Sequence, residues 1–458
     1  MNNLEQVASN PQPLPKLWNK NFIILVLGSF VSIIGYSCAT FTLGKFMLDT
    51  NNNDILLFAF SLAISMLPRL ISPAIAGTYF DRHSRRKAIY TIDFMSAILF
   101  TLCAILFRFD ALHIVVVYAV QFILGAQDGV YMVAFDSLFP LLVTTNTTRQ
   151  AYSINSMLWP IGTVISMPLT LLGYEKIGPL TMFIVASCLL FVTACIEIFI
   201  RVREPHLMPY EPEKQLKLPK SPKQIEHENN GGTMEELIER KERNSFFTDF
   251  REGARYIKQE KGLLAITIYF FVVSLCGGAM NTLTFPYFNG MENVPLLGGT
   301  VSGLWVYLVV FGTSTIGRFI GANVQYHVKF KASIRYTVAV VVYITTNIIT
   351  IALLHLPIWL MCTTMFIEGM LSVTSYNLRI SSTQLYVPEE KRGRFNGAFM
   401  FFNMLGSLFG QIVAGLLGST TLTVPIIISC VFAFNLIAVF IIVIPAQKYI
   451  KPIYNVGL

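Results

Sequence analysis

A charged side chain inside an apolar run is the first place to look for chemistry. A membrane-spanning helix carries such a charge at a cost, and mostly for transport. Arg69, Asp128, Arg318, Glu368 and Arg379 occupy positions of this kind. Arg69 and Asp128 fall at similar depths in two runs that would cross in the same sense, so depth alone predicts an ion pair between them. In that reading Asp128 carries a proton and Arg69 sets how tightly it is held. The competing reading is a static structural pair. Asp136 follows eight residues on, near the same helical face, and is expected to make a gating contact with the Arg82 region. Glu368 is the candidate coupling or substrate-binding carboxylate of the second half. Arg318, or Arg379 about three turns along the same helix, would pair with it if it served gating instead. Glu197 closes its run and reads as a side chain snorkelling to the surface.

Polar and aromatic side chains expected near a central cavity are Tyr36, Gln121, Gln127, Tyr131, Trp159, Asn281, Tyr376, Asn377 and Asn403. For any one aromatic, packing or lipid contact is the competing role. Gly28, Gly35, Gly406 and Gly410 suit close helix contacts. The 7 cysteines sit in apolar runs with no CxxC pair, and the 6 histidines lack ligand spacing, so no metal is expected. No GxxxxGK[ST] run and no nucleophile–base constellation occurs. The expectation is a protein that is not an enzyme and needs no cofactor.

The elements that must position these residues follow from hydropathy. The chain has 458 residues, 54% hydrophobic and only 13% charged. Soluble domains run at about 25% charged, so a string of soluble domains is excluded. A spanning helix needs about 20 mostly apolar residues. Twelve segments qualify: 21–44, 54–79, 88–107, 112–134, 152–173, 179–200, 263–285, 300–324, 333–354, 357–379, 396–418 and 422–444. Most of the 34 Lys and Arg then fall on one side, with Lys45, Arg108 and Lys176 near the other. The positive-inside rule puts both termini in the cytoplasm. The net charge of +8 thus marks topology, and no nucleic-acid partner is expected.

Residues 201–262 form the one polar island. It opens as a proline-rich linker (Pro205 to Pro222), turns at Asn229–Gly232, and has capping-box spacing at Thr233 and Glu236. Phe246, Phe247, Phe250, Ala254 and Ile257 then share one helical face and Arg251, Arg255 and Lys258 another, which suits a helix lying on the inner membrane surface. A shared offset of 244 links Gly77 with Gly321, Val143 with Val387, and Gly162 with Gly406. The spans thus divide as six and six, in the parallel-repeat plan of transporters.

Between the second and third spans stands Gly77-Thr-Tyr-Phe-Asp81-Arg82-His-Ser84-Arg85-Arg86-Lys87. It resembles the GxxxDRxGRR[KR] signature loop of the major facilitator superfamily, with Ser84 in place of the second glycine. The resemblance implies a conformational latch built from Gly77, Asp81, Arg82, Arg85 and Arg86, to which Asp136 and Arg394 are added as candidates. Three further runs resemble the macrolide-efflux and enterobactin-exporter-like branch: Phe139–Val143, Asp249–Tyr256 and Val387–Arg394. Where drug antiporters often carry Gly-Pro in the fifth span, this chain reads Met167-Pro168.

The expected fold is an all-α membrane protein of twelve transmembrane helices in two pseudo-symmetric six-helix bundles, the major facilitator fold. Its expected divisions are a cytoplasmic tail (1–20), a bundle (21–200), a linker with an amphipathic helix (201–262), a second bundle (263–444) and a cytoplasmic tail (445–458). The resemblance implies secondary active transport by alternating access, with proton-coupled export of an amphipathic or hydrophobic small molecule such as a drug, macrolide or siderophore. Proton-coupling candidates are Asp128, Glu368 and Arg69. Expected partners are membrane lipid, a small-molecule substrate and protons, with the chain a monomer in a bacterial plasma membrane. Lipid or lysolipid flipping, import by proton symport, and a non-transporting receptor or scaffold are the alternatives.

Overall fold

The computed structural model describes residues 17–80, 83–143, 147–202, 204, 207, 246–296, 299–327 and 330–456. The proline-rich linker, the Thr233–Glu236 helix start, and Asp81 and Arg82 lie outside the described residues. The helices in chain order are α1 (Lys20–Thr50), α2 (Ile55–Phe80), α3 (Arg85–Arg108), α4 (Ile114–Leu142), α5 (Thr148–Ile177), α6 (Pro179–Glu197) and α7 (Phe246–Gln259). They continue as α8 (Lys261–Asn289), α9 (Gly303–His327), α10 (Arg335–Ala352), α11 (Ile358–Tyr386), α12 (Glu389–Gly418), α13 (Val424–Ala438) and α14 (Gln447–Tyr454). A short antiparallel hairpin, β1 (Val294–Leu296) with β2 (Gly299–Val301), joins α8 to α9. Among the described residues 12 helices are long and apolar enough to cross a membrane, α13 counting through Val443. Of the helices named here, α7 and α14 are too short.

Local chemistry explains several boundaries. Ser84 caps α3, its hydroxyl accepting from the Lys87 N–H at 3.2 Å. Gly178 ends α5 at φ 95°, a left-handed conformation that glycine adopts without penalty. Pro179 then starts α6 where its missing N–H costs nothing.

The chain divides into two compact units. The first holds residues 1–50 and 71–207, the second 51–70 and 208–458, so α2 is shared between them. In the first unit, Phe22 and Leu25 of α1, Ala76 and Phe80 of α2, Ile89 of α3 and Ala134, Leu138 and Phe139 of α4 form one buried cluster. In the second, the start of α2 packs on α8 and α12. Phe58 stacks on Phe285 at 5.7 Å, and the Asn53 amide donates to the Pro286 carbonyl at 2.8 Å.

Backbone-close contacts organise the second unit. Gly278, Gly406 and Gly410 bring α8 and α12 together so that an added Cβ would collide with the Ser407, Phe271 and Leu275 carbonyls. Gly317, Gly321 and Gly369 do the same between α9 and α11. Membrane helices lack a hydrophobic drive to associate, so this close packing supplies it. Gly410→Leu is expected to cost about 1–3 kcal/mol through overpacking. The purified variant should melt below the parent, whereas Gly277→Ala, with open space around that position, should not.

Candidate functional site

Two acids on helices distant in sequence meet inside the first unit. Asp93 lies eight residues into α3, about 12 Å from its basic start, and is 4% exposed. Glu197 is the last residue of α6 and is fully buried. The two carboxyl groups are within hydrogen-bonding reach of each other. Ser32 of α1 donates its hydroxyl to Asp93 Oδ1 at 3.0 Å. Among the described residues no N–H or O–H donates to Asp93 Oδ2 or to either Glu197 oxygen. Gly28 makes room for Glu197: a Cβ there would stand 2.9 Å from the Glu197 Cγ.

Sequence reasoning missed this pair. Asp93 went unremarked, and Glu197 does not snorkel as expected but turns inward. Two full negative charges about 4 Å apart repel by about 4 kcal/mol at an effective dielectric of 20. Each also loses its hydration, and no basic side chain among the described residues repays that. A single proton between them removes the repulsion and supplies the missing donor.

The start of α3 is a second charged focus. The Glu204 carboxylate accepts from the Ser84 hydroxyl and, at 2.8 Å, from the Arg85 N–H, completing an anion site at a helix N-terminus. Arg85 reaches the Ser137 carbonyl at 3.4 Å, and Arg86 caps the end of α6 through the Ile198 carbonyl at 3.1 Å. Arg85 and Arg86 thus each bond a main-chain carbonyl on another helix or at its end. No described atom lies within 4 Å of a Cβ built at Gly77.

In the second unit, Glu368 accepts from the Ser314 hydroxyl of α9 at 3.0 Å. The alternative, a gating pair with Arg318 or Arg379, is not formed among the described residues. Arg318 is exposed. Arg379 instead stacks among three aromatic rings, Phe399 at 4.6 Å, Phe270 at 5.1 Å and Tyr376 at 5.5 Å. Asn377 donates to Gln325 at 2.8 Å, tying α11 to α9 at the position where Gln325 aligns with Asp81.

The helix α7 is amphipathic as expected, but its apolar face lies on a neighbouring helix. Phe250 packs on Phe401 of α12 at 4.8 Å, and Ile257 is 2% exposed. Arg394 binds Asp249 at 2.8 Å and Glu252 at 2.5 Å. Lys391 sits 4.6 Å over the Tyr256 ring, and Tyr386 donates to Glu260 at 3.1 Å. Burial and the nearby Glu260 carboxylate push the Tyr256 phenol up, so its ring stays neutral beneath the lysine. Two of the sequence motifs, Asp249–Tyr256 and Val387–Arg394, therefore touch.

The remaining candidates divide between the two units. Asp128 is half-buried on α4, in the first unit, and Arg69 is exposed on the part of α2 that belongs to the second. Asp136 is exposed, and the Arg82 it was expected to meet is outside the described residues. Gln127 accepts from Ser96 of α3 at 2.9 Å. Tyr131, stacked on Phe135, lies within electrostatic reach of Asp93, Glu197 and Asp128. Tyr36 is half-buried, whereas Trp159, Asn281, Tyr376 and Asn377 are exposed.

Comparison with known proteins gives the family. Macrolide efflux protein A of Streptococcus pyogenes is 23% identical over 303 residues, covering 63% of this chain and 67% of that protein. Macrolide efflux protein A of Enterococcus faecalis is 23% identical over 257 residues, 53% of this chain and 70% of that one. Among solved structures, the nucleoside transporter NupG matches with a TM-score of 0.65 at 13% identity, over 94% of this chain and all of that one. The peptide transporter POT in complex with sulfate matches with a TM-score of 0.67 at 16% identity, over 98% and 99%. At these identities the structures show the fold alone. The model of the Major Facilitator Superfamily matches residues 25–411, and with twelve spans in the same fold this chain belongs to that superfamily, as a multi-pass membrane transporter and not an enzyme.

Proposed function

We propose that the chain is a proton-driven exporter of an amphipathic or hydrophobic small molecule, with macrolides the first class to test. It would work by alternating access in a bacterial plasma membrane with both termini cytoplasmic. The likeness to macrolide efflux proteins of two bacterial genera, over more than half of the chain, carries this reading. The side chains expected at a cavity suit it. They include aromatics, Trp159 and Tyr376, and amides, Asn281, Asn377 and Gln127, the side-chain classes that an amphipathic molecule would need. Asp128 and Glu368, with Arg69, are the proton-coupling candidates named from sequence.

Expression in a macrolide-sensitive bacterium lacking its own exporters tests it. Accumulation of a radiolabelled macrolide should fall several-fold, and a protonophore should restore it. Unchanged accumulation, or greater uptake, would reject export of this class.

A further inference from the structure

We propose that Asp93 and Glu197 form a proton-binding site inside the first unit, with α1, α3 and α6 as its walls, and that loading and unloading this site couples transport to the proton gradient. Its role in coupling rests on the export reading; proton binding does not.

The pair has the features such a site needs. Both acids are more than nine-tenths buried. Three of their four oxygens are buried and have no hydrogen-bond donor among the described residues, which is where a proton would serve. Ser32 holds Asp93 by one oxygen, which leaves the other for the proton. Gly28 keeps α1 close while leaving Glu197 its space.

Among the described residues the surroundings contain no counter-cation for the pair. From α1 come Ser29 and Ser32, and from α4 Tyr131, with Asp128 beyond it. On α3, Arg86 lies two turns from Asp93 and gives its guanidinium to the Ile198 carbonyl. It pairs with neither acid. A proton is therefore the group that completes the site. On loading, an O–H bond of a hydronium ion breaks, leaving neutral water, and its proton forms an O–H bond with one carboxylate oxygen. On unloading that O–H breaks, its electron pair stays on the oxygen, and the proton returns to water. Unloaded, the two negative charges favour separation of α6 from α3, which links the proton to a change in helix packing.

Infrared difference spectroscopy of the purified chain in lipid, stepped from low to high pH, reads the site without any substrate. A carbonyl band of a buried protonated carboxyl should disappear as pH rises, and should be missing in both Asp93→Asn and Glu197→Gln. In proteoliposomes the same variants should keep macrolide exchange at equal pH and lose pH-gradient-driven accumulation at least tenfold. Retained exchange shows that a variant is folded; if Asp93→Asn does not fold, Glu197→Gln carries the test. A band unaffected by either substitution, or accumulation lost only in Asp128→Asn or Glu368→Gln, overturns the inference. If the parent exchanges no macrolide, the export reading fails. The infrared result then still decides whether the pair binds a proton.

Discussion

Replacing both acids at once, as Asp93→Val/Glu197→Met, should leave the protein at least as stable as the parent and abolish pH-driven transport. A buried acceptor without a donor costs about 1–3 kcal/mol. Asp93 Oδ2 and both Glu197 oxygens are in that position. Removing them and filling the same volume with apolar atoms removes that cost, and part of the gain is offset by imperfect packing. Ser32 loses its acceptor. It can bond back to its own helix, as Thr42 already does to the Cys38 carbonyl of α1.

Thermal unfolding of the double variant, set beside each single one, separates two roles. If the acids serve packing, every replacement lowers the melting temperature and the double variant is worst. If they are kept for proton binding at the expense of stability, the double variant melts at or above the parent while its pH-driven transport is gone. A double variant that melts several degrees lower would sink this prediction.

The spans were legible because lipid leaves little choice of composition. Twelve apolar runs became twelve helices with only their ends moved: α1 runs Lys20–Thr50 where hydropathy gave 21–44. Asp93 sat inside the third predicted run and met the same criterion that picked out Asp128. Hydropathy placed it near the basic end of a run starting at 88. The helix in fact starts at Arg85, which carries Asp93 into its third turn. What no pattern could show was its partner. Asp93 and Glu197 are far apart in the chain, and their meeting depends on how α3, α6 and α1 pack. Glu197 looked like a snorkelling end residue because end position is visible in sequence and direction is not. The same limit applied to Ser84, which stands in for a glycine in the family signature and proves to be the cap of α3. In α7 the amphipathic period was plain, but an apolar stripe looks alike whether it meets lipid or a helix.

That docking of α7 on α12 yields the second large effect. Arg394→Glu should loosen α7. The Arg394, Asp249 and Glu252 side chains are 39%, 42% and 46% exposed, so each present pair contributes only about 0.2–1 kcal/mol. Reversal removes both attractions and adds repulsions of similar size, on the order of 2 kcal/mol in all. At about 1.4 kcal/mol per tenfold, hydrogen exchange across 246–259 should quicken roughly thirtyfold. Adding Asp249→Arg and Glu252→Arg should restore protection, since the charge pattern is then inverted but complementary. Gly253→Leu tests the contact by a different route. A side chain there collides with the Arg394 carbonyl whatever the charges, so exchange should quicken at least as much and no charge swap should rescue it. If Arg394→Glu leaves exchange unchanged, the Phe250 and Ile257 contacts alone hold α7, and the pairing of the two motifs is incidental. If exchange quickens and pH-driven transport falls with it, α7 belongs to the moving parts of the transporter, with Arg394 the switch residue it was named as from sequence.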